Sequence, residues 1–130
     1  MDECEKFTLA IVLKNTCKLI GWCGFGPLEF NADEIEIYFV VSYHYWGKGI
    51  ATEAGGALLK YGFDKLELQR IVAVVNPENV ASVRVIEKLN MQKTGIVTGL
   101  DEASHDYAGY TYYTLERTMD YITPGDQVSL

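Results

Sequence analysis

Tyr45-Trp46-Gly47-Lys48-Gly49-Ile50-Ala51-Thr52-Glu53-Ala54 joins a strand-like segment to a helix-like one. Gly47 and Gly49 allow the backbone to approach a ligand closely. The first turn of the following helix offers N–H groups without helical partners, at the positive end of the helix dipole. Such a corner holds a phosphate or diphosphate mainly through main-chain amides, with Lys48 adding charge at the rim. A plain structural turn accounts for the bare glycine pattern equally well. The stretch lacks the Gly-Lys-Ser/Thr ending of a Walker loop and its strand follows a hairpin, and both points disfavour a nucleotidase.

Upstream, Phe7 to Lys14 and Lys18 to Gly26 read as two strands joined by the turn Asn15-Thr16-Cys17, which makes a hairpin. Gly21, Gly24 and Gly26 suggest a bulge or a close backbone approach. Pro27 to Asp33 reads as a loop. Glu34 to Val41 alternates, with Ile35, Ile37 and Phe39 on one face and Glu34, Glu36 and Tyr38 on the other, the pattern of a strand with one apolar face. Downstream, Ile50 to Lys65 carries Ala54, Ala57, Leu58 and Tyr61, with Leu66 just beyond, at helical spacing. Gly55 and Gly56 each weaken that helix by roughly 1 kcal/mol relative to Ala, or allow close packing against the sheet. Arg70 to Val75 is a β-branched strand. Pro77 opens a second helix striped by Val80, Val83, Ile86 and Leu89, and Asn90 ends it in a left-handed cap. Strands follow over Met91 to Val97 and Tyr107 to Arg117, with a polar connection from Leu100 to Asp106 between them. The order β-β-β-α-β-α-β-β predicts a mixed α/β (α+β) sheet. No linker divides residues 1–118, which read as one domain; residues 119–130 read as a C-terminal tail.

The 130 residues are 48% hydrophobic and 22% charged, ordinary for a globular domain with one core. No apolar run reaches the roughly 18 residues of a membrane span, and Met1 to Lys6 does not resemble a signal peptide. Cys4, Cys17 and Cys23 show no metal-type pairing with each other or with His44 and His105. Free thiols, no metal and a cytoplasmic location are expected. The net charge of −7 argues against a nucleic-acid partner. It suits a cationic substrate, and solubility alone explains it as well.

The Tyr45–Ala54 stretch resembles motif A of the GNAT acetyltransferases, Gln/Arg-x-x-Gly-x-Gly/Ala. Trp46 stands at the Gln/Arg position, Gly49 at the central glycine and Ala51 at the last small residue. Trp-Gly-Lys-Gly followed by Ala-Thr-Glu-Ala is similar to the RimJ/RimL branch. Arg70 to Met91 resembles motif B through its Asn-x-x-Ser step, Asn79 to Ser82, and its Glu87-Lys88-Leu89 ending, with Asn90 at the usual glycine. The resemblance covers roughly residues 7 to 117. Family members usually have a strand and one or two helices before the hairpin, which wall the acceptor pocket. This chain begins at about the family's second strand, which reads as a fragment, a short form, or a chain that completes its pocket as a homodimer.

The resemblance implies a fold, an activity and roles. Acetyl-CoA would serve as co-substrate, with its diphosphate on Trp46, Gly47, Lys48, Gly49, Ile50, Ala51 and Thr52. The backbone N–H of Val41 would face the pantetheine or acetyl oxygen. Asn79 would bond the pantetheine arm; a helix N-cap is the alternative. A primary amine, on a small molecule or a protein N-terminus, would attack the thioester directly in a ternary complex. Glu36 would be the general base, acting through water, with Glu34 in reserve; an ordinary strand carboxylate is the alternative. Ser82 would assist the departing thiolate. The tyrosine many members place four residues beyond that serine is Ile86 here, and Tyr113 is the substitute. His44 reads as a surface residue, and nothing near Cys23 in sequence would activate it. Two other readings stay open: a non-catalytic acyl-CoA-binding module or pseudoenzyme, and an interaction domain whose glycine turn is only a turn.

Overall fold

Two antiparallel hairpin pairings start the sheet, and a helical crossover extends it. The computed structural model describes residues 7–99 and 107–117. Strands β1 (Phe7–Val12), β2 (Leu19–Leu28) and β3 (Asn31–Val41) pair antiparallel in sequence. Helix α1 (Ile50–Asp64) carries the chain over to β4 (Arg70–Val75), which lies parallel to β3. Helix α2 (Val80–Lys88) leads to β5 (Gln92–Ile96), and β6 (Thr111–Glu116) inserts between β4 and β5. The six-stranded sheet has the order β1-β2-β3-β4-β6-β5, so the expected element order and the mixed sheet are both found.

Several expected boundaries shift. The segment from Pro27 to Asp33 is not a loop: β2 runs to Leu28, β3 starts at Asn31, and Glu29-Phe30 is the whole turn. Pro27 lies beyond the last β1 pair, Phe7↔Phe25, and at the register shift, two places where a strand tolerates proline. Helix α2 starts at Val80, not at Pro77. The Asn76 side chain accepts the Glu78 N–H at 3.0 Å, forming an Asx turn that holds Pro77 and Glu78 outside the helix. Tyr107 to Tyr110 forms a turn before β6, with the Tyr110 N–H bonded to the Tyr107 carbonyl at 3.0 Å. Asn90 adopts φ 65°, the expected left-handed cap. The connection from Leu100 to Asp106, the tail from residue 119 and Cys4 lie outside the described residues.

Both helices pack on one face of the sheet. Phe25 and Ile71 from the strands, Leu59 and Phe63 from α1, and Leu89 after α2 share one apolar cluster and are almost completely buried. The buried side of α1 is Gly55, Gly56, Leu58, Leu59, Gly62 and Phe63, while Ala57 and Tyr61 of the expected stripe are exposed. Glycines set how closely α1 sits. A Cβ at Gly62 would stand 2.7 Å from Phe25 Cζ, and one at Gly55 2.9 Å from Leu89 Cδ1. In α2, Val83 and Ile86 face inward, as does Leu89 at its C-cap, whereas Val80 is exposed. The alternation in β3 holds: Ile37 is buried among the core residues, and Glu36 lies on the face away from the helices. Among the described residues no helix is long and apolar enough to cross a membrane.

Candidate functional site

The site arises because the sheet splits. β3 keeps β2 as its partner up to Gly21↔Val41, and β4 keeps β6 up to Val75↔Thr111. The two inner strands meet at a single pair, Glu36↔Val72. Beyond it they separate toward their carboxyl ends, where open α/β sheets bind ligands. A cleft of about 460 Å³ opens there, between the end of β3 with the Tyr45–Thr52 loop on one side and α2 on the other. That volume suits a small-molecule site.

The loop wall is made of main-chain donors. Gly47 and Gly49 have φ 75° and 77°, the left-handed region that favours glycine. A Cβ at either position would meet nothing within 4 Å, so the backbone there borders open space. Glu53 donates the first helical bond, to the Gly49 carbonyl at 3.0 Å. The N–H groups of Ile50, Ala51 and Thr52 therefore have no helical acceptor, no side chain caps Gly49, and all three residues line the cleft. Lys48 sits at the rim, its ammonium 5.5 Å from the centre of the Tyr45 ring, with that of Lys18 at 5.9 Å.

The direction of Val41 follows from strand pairing. Ser42 donates to the Ile20 carbonyl at 2.8 Å. Bonded and non-bonded pairs alternate in an antiparallel ladder, so Gly21↔Val41 is a non-bonded pair. The N–H and C=O of Val41 thus face away from β2, into the split. The carbonyl accepts the indole N–H of Trp46 at 2.7 Å.

On the other wall, the Asn79 side chain caps α2 by accepting the Ser82 N–H at 3.2 Å. The N-cap alternative is therefore the observed role of that oxygen, and Asn79 and Ser82 also line the cleft. Arg84 and Lys88 are additions to the expected set. They lie one helical turn apart on α2 and line the same cleft. Their i, i+4 spacing is visible in sequence, but which wall they face depends on how α2 docks.

Val41, Trp46, Gly47, Gly49, Ile50, Ala51, Thr52, Asn79 and Ser82 are thus brought together, while Lys48 stays at the rim and Glu36 and Tyr113 do not line the cleft. Glu36 is half-buried and five residues before Val41, roughly 17 Å along the strand. It lies near Tyr107 and Tyr112. The Tyr107 hydroxyl is pushed up to about 12, first by its 2.5 Å hydrogen bond to Glu29, then by burial and by the charges of Glu29 and Glu36. Burial raises Tyr112, and the Glu34 charge adds to it. Glu34 itself is paired with Arg70 at 3.2 Å. Tyr113 is a core residue on the helix-packed face, 6% exposed, and burial, then Glu87, pushes its pKa up. Cys23 is buried and its thiol is likewise pushed up by burial, the reverse of an activated nucleophile. His44 is exposed. Among the described residues no His, Cys, Asp or Glu cluster is suited to a metal.

A family model for the acetyltransferase (GNAT) domain matches residues 1–92. The chain belongs to the GNAT acetyltransferases. It is 38% identical to p20, an uncharacterized N-acetyltransferase of Bacillus licheniformis, over 94 residues, 72% of this chain and 53% of that protein. It is 33% identical to the spermidine N(1)-acetyltransferase of Escherichia coli K12 over 60 residues, 46% of this chain and 32% of the relative. Among solved structures, a GNAT-family acetyltransferase from Bacillus anthracis superposes with a TM-score of 0.70 at 33% identity, covering 84% of this chain and 65% of that one. The matched stretches thus span between about a third and two-thirds of the length of these relatives.

Proposed function

We propose that this GNAT chain is an N-acetyltransferase of the RimJ/RimL branch, moving an acetyl group from acetyl-CoA to a primary amine by direct attack in a ternary complex. The observation that carries this reading is the split sheet, whose cleft is bordered by the unpaired amides of Ile50, Ala51 and Thr52. The open space over Gly47 and Gly49 fits a diphosphate held by main-chain N–H groups, and Arg84 and Lys88 supply the facing positive charge. Acetyl-CoA, when bound, supplies the acyl group already activated as a thioester.

The chain's own residues then have separate tasks. The unpaired inner edge of β3 offers main-chain groups to an extended, amide-bearing arm. Val41 N–H, aimed into the split, is placed to stabilise negative charge on an acyl oxygen. Glu36 takes the ammonium proton through a chain of several waters, because the roughly 17 Å of strand between it and Val41 exceeds the one-water reach of a general base. Ser82, half-buried at the start of α2, stands on the wall where the thiolate leaves, and that thiolate takes up the second amine proton. The named substrate of the spermidine relative supports an amine acceptor, small or on a protein N-terminus. A cytoplasmic location goes with the same reading.

A second reading, a non-catalytic acyl-CoA-binding module, draws on Ile86 at the tyrosine position and on Tyr113 being buried away from the cleft. The deciding experiment is thiol release from acetyl-CoA across a panel of amines, including polyamines and peptides with free N-termini. Amine-dependent release is expected. Tight acetyl-CoA binding without release supports the module, and absence of CoA binding refutes both.

A further inference from the structure

We propose that Trp46 is a positioning residue for acyl transfer: its indole N–H holds the Val41 carbonyl, leaving the adjacent Val41 N–H to address the acyl oxygen without a competing dipole. This rests on the acetyl-CoA reading of the cleft. The N–H and C=O of Val41 point the same way, into the split, because Gly21↔Val41 is a non-bonded pair. A bare carbonyl beside that N–H would repel any carbonyl oxygen brought to it. The indole removes this conflict with a 2.7 Å hydrogen bond.

The reach is built into the local chain. Tyr45 donates to the Ser42 carbonyl at 2.9 Å and Trp46 to the Tyr43 carbonyl at 3.1 Å, turning the chain back over the end of β3. The Trp46 ring packs against Tyr43, with centroids 5.1 Å apart. Trp46 is nonetheless half exposed and lines the cleft. Its ring is therefore not a core element, and its one polar group is spent on the peptide that ends β3.

The test is Trp46→Phe, which keeps a ring and deletes the donor. CoA has no acyl oxygen, so its dissociation constant should stay within about twofold, whereas the preference for acetyl-CoA over CoA should fall. Deleting an oxyanion donor outright costs about 10²–10³ in rate; loosening one should cost less, about tenfold in kcat, with a small rise in KM for acetyl-CoA that matches the lost preference. An unchanged kcat and an unchanged acetyl-CoA preference overturn the proposal. So does a parallel loss of CoA and acetyl-CoA affinity with a lowered Tm, the mark of a merely structural bond. Independently of that variant, the Trp46 indole N–H of the ligand-free protein should exchange slowly with solvent, its signal assigned by Trp22→Phe; rapid exchange overturns the latch. Wild-type protein that binds neither CoA nor acetyl-CoA defeats the cleft reading itself, a result distinct from these.

Discussion

At Gly49 the demand of the turn and that of the site coincide. Its φ of 77° costs an L residue about 1–2 kcal/mol, a fraction of the roughly 5–15 kcal/mol that holds a domain together. Gly49→Glu should therefore leave the fold in place, with an unchanged circular dichroism spectrum. It should abolish CoA binding by calorimetry, because it adds a side chain and a negative charge beside amides that would hold a diphosphate. Unaltered affinity would refute the loop assignment. Glu36 is the complementary case, a side chain remote from the cleft. Glu36→Gln should leave CoA affinity intact and lower kcat by about 10², the low end for general-base catalysis, since its proton travels through water. Turnover unaffected at every pH would remove Glu36 as the base.

At the scale of elements, the seating of α1 depends on absent side chains. Gly62→Ala gains about 1 kcal/mol in helix propensity. It also drives a Cβ to 2.7 Å from Phe25 Cζ and 3.2 Å from Ile71 Cδ1, and both side chains are completely buried. Overpacking of this kind costs about 1–3 kcal/mol, so the net effect should be a lower midpoint in urea with an unchanged m-value. A higher midpoint would show that the core yields there. The same contrast separates what can be read along the chain from what cannot. The Gly47–Gly49 corner, the Arg70–Val75 strand and the Asn90 cap were legible because each depends on local backbone preference or a β-branched run. The two-residue turn at Glu29-Phe30 was not, because Pro27 and the polar Asn31–Asp33 look like a loop until the long β2–β3 pairing is formed. The true inner side of α1 was obscured because three of its six buried residues are glycines, which periodicity does not count as apolar. Arg84 and Lys88 join the site only through the docking of α2, and Tyr113 leaves it only because β6 turns that residue toward the helices.

At the scale of the whole molecule, charge among the described residues is partly sorted. The net charge is −7, yet Arg84 and Lys88 line the cleft and Lys48 stands at its rim. Glu29, Glu34 and Glu36 lie instead around Tyr107 and Tyr112 and outnumber Arg70, the cation paired with Glu34 there. An anionic co-substrate and a cationic acceptor would thus meet local fields of opposite sign. The long-range field, set by net charge, favours the amine alone. Screening shortens that field from about 30 Å at 0.01 M salt to about 8 Å at 0.15 M. The KM for a polyamine should therefore rise severalfold over this range while kcat holds, because the bound geometry is unaffected and only the approach weakens. An acceptor with a single amine should respond less, in proportion to its charge. A polyamine KM flat in salt would mean that the acidity of the chain serves solubility and takes no part in gathering the acceptor.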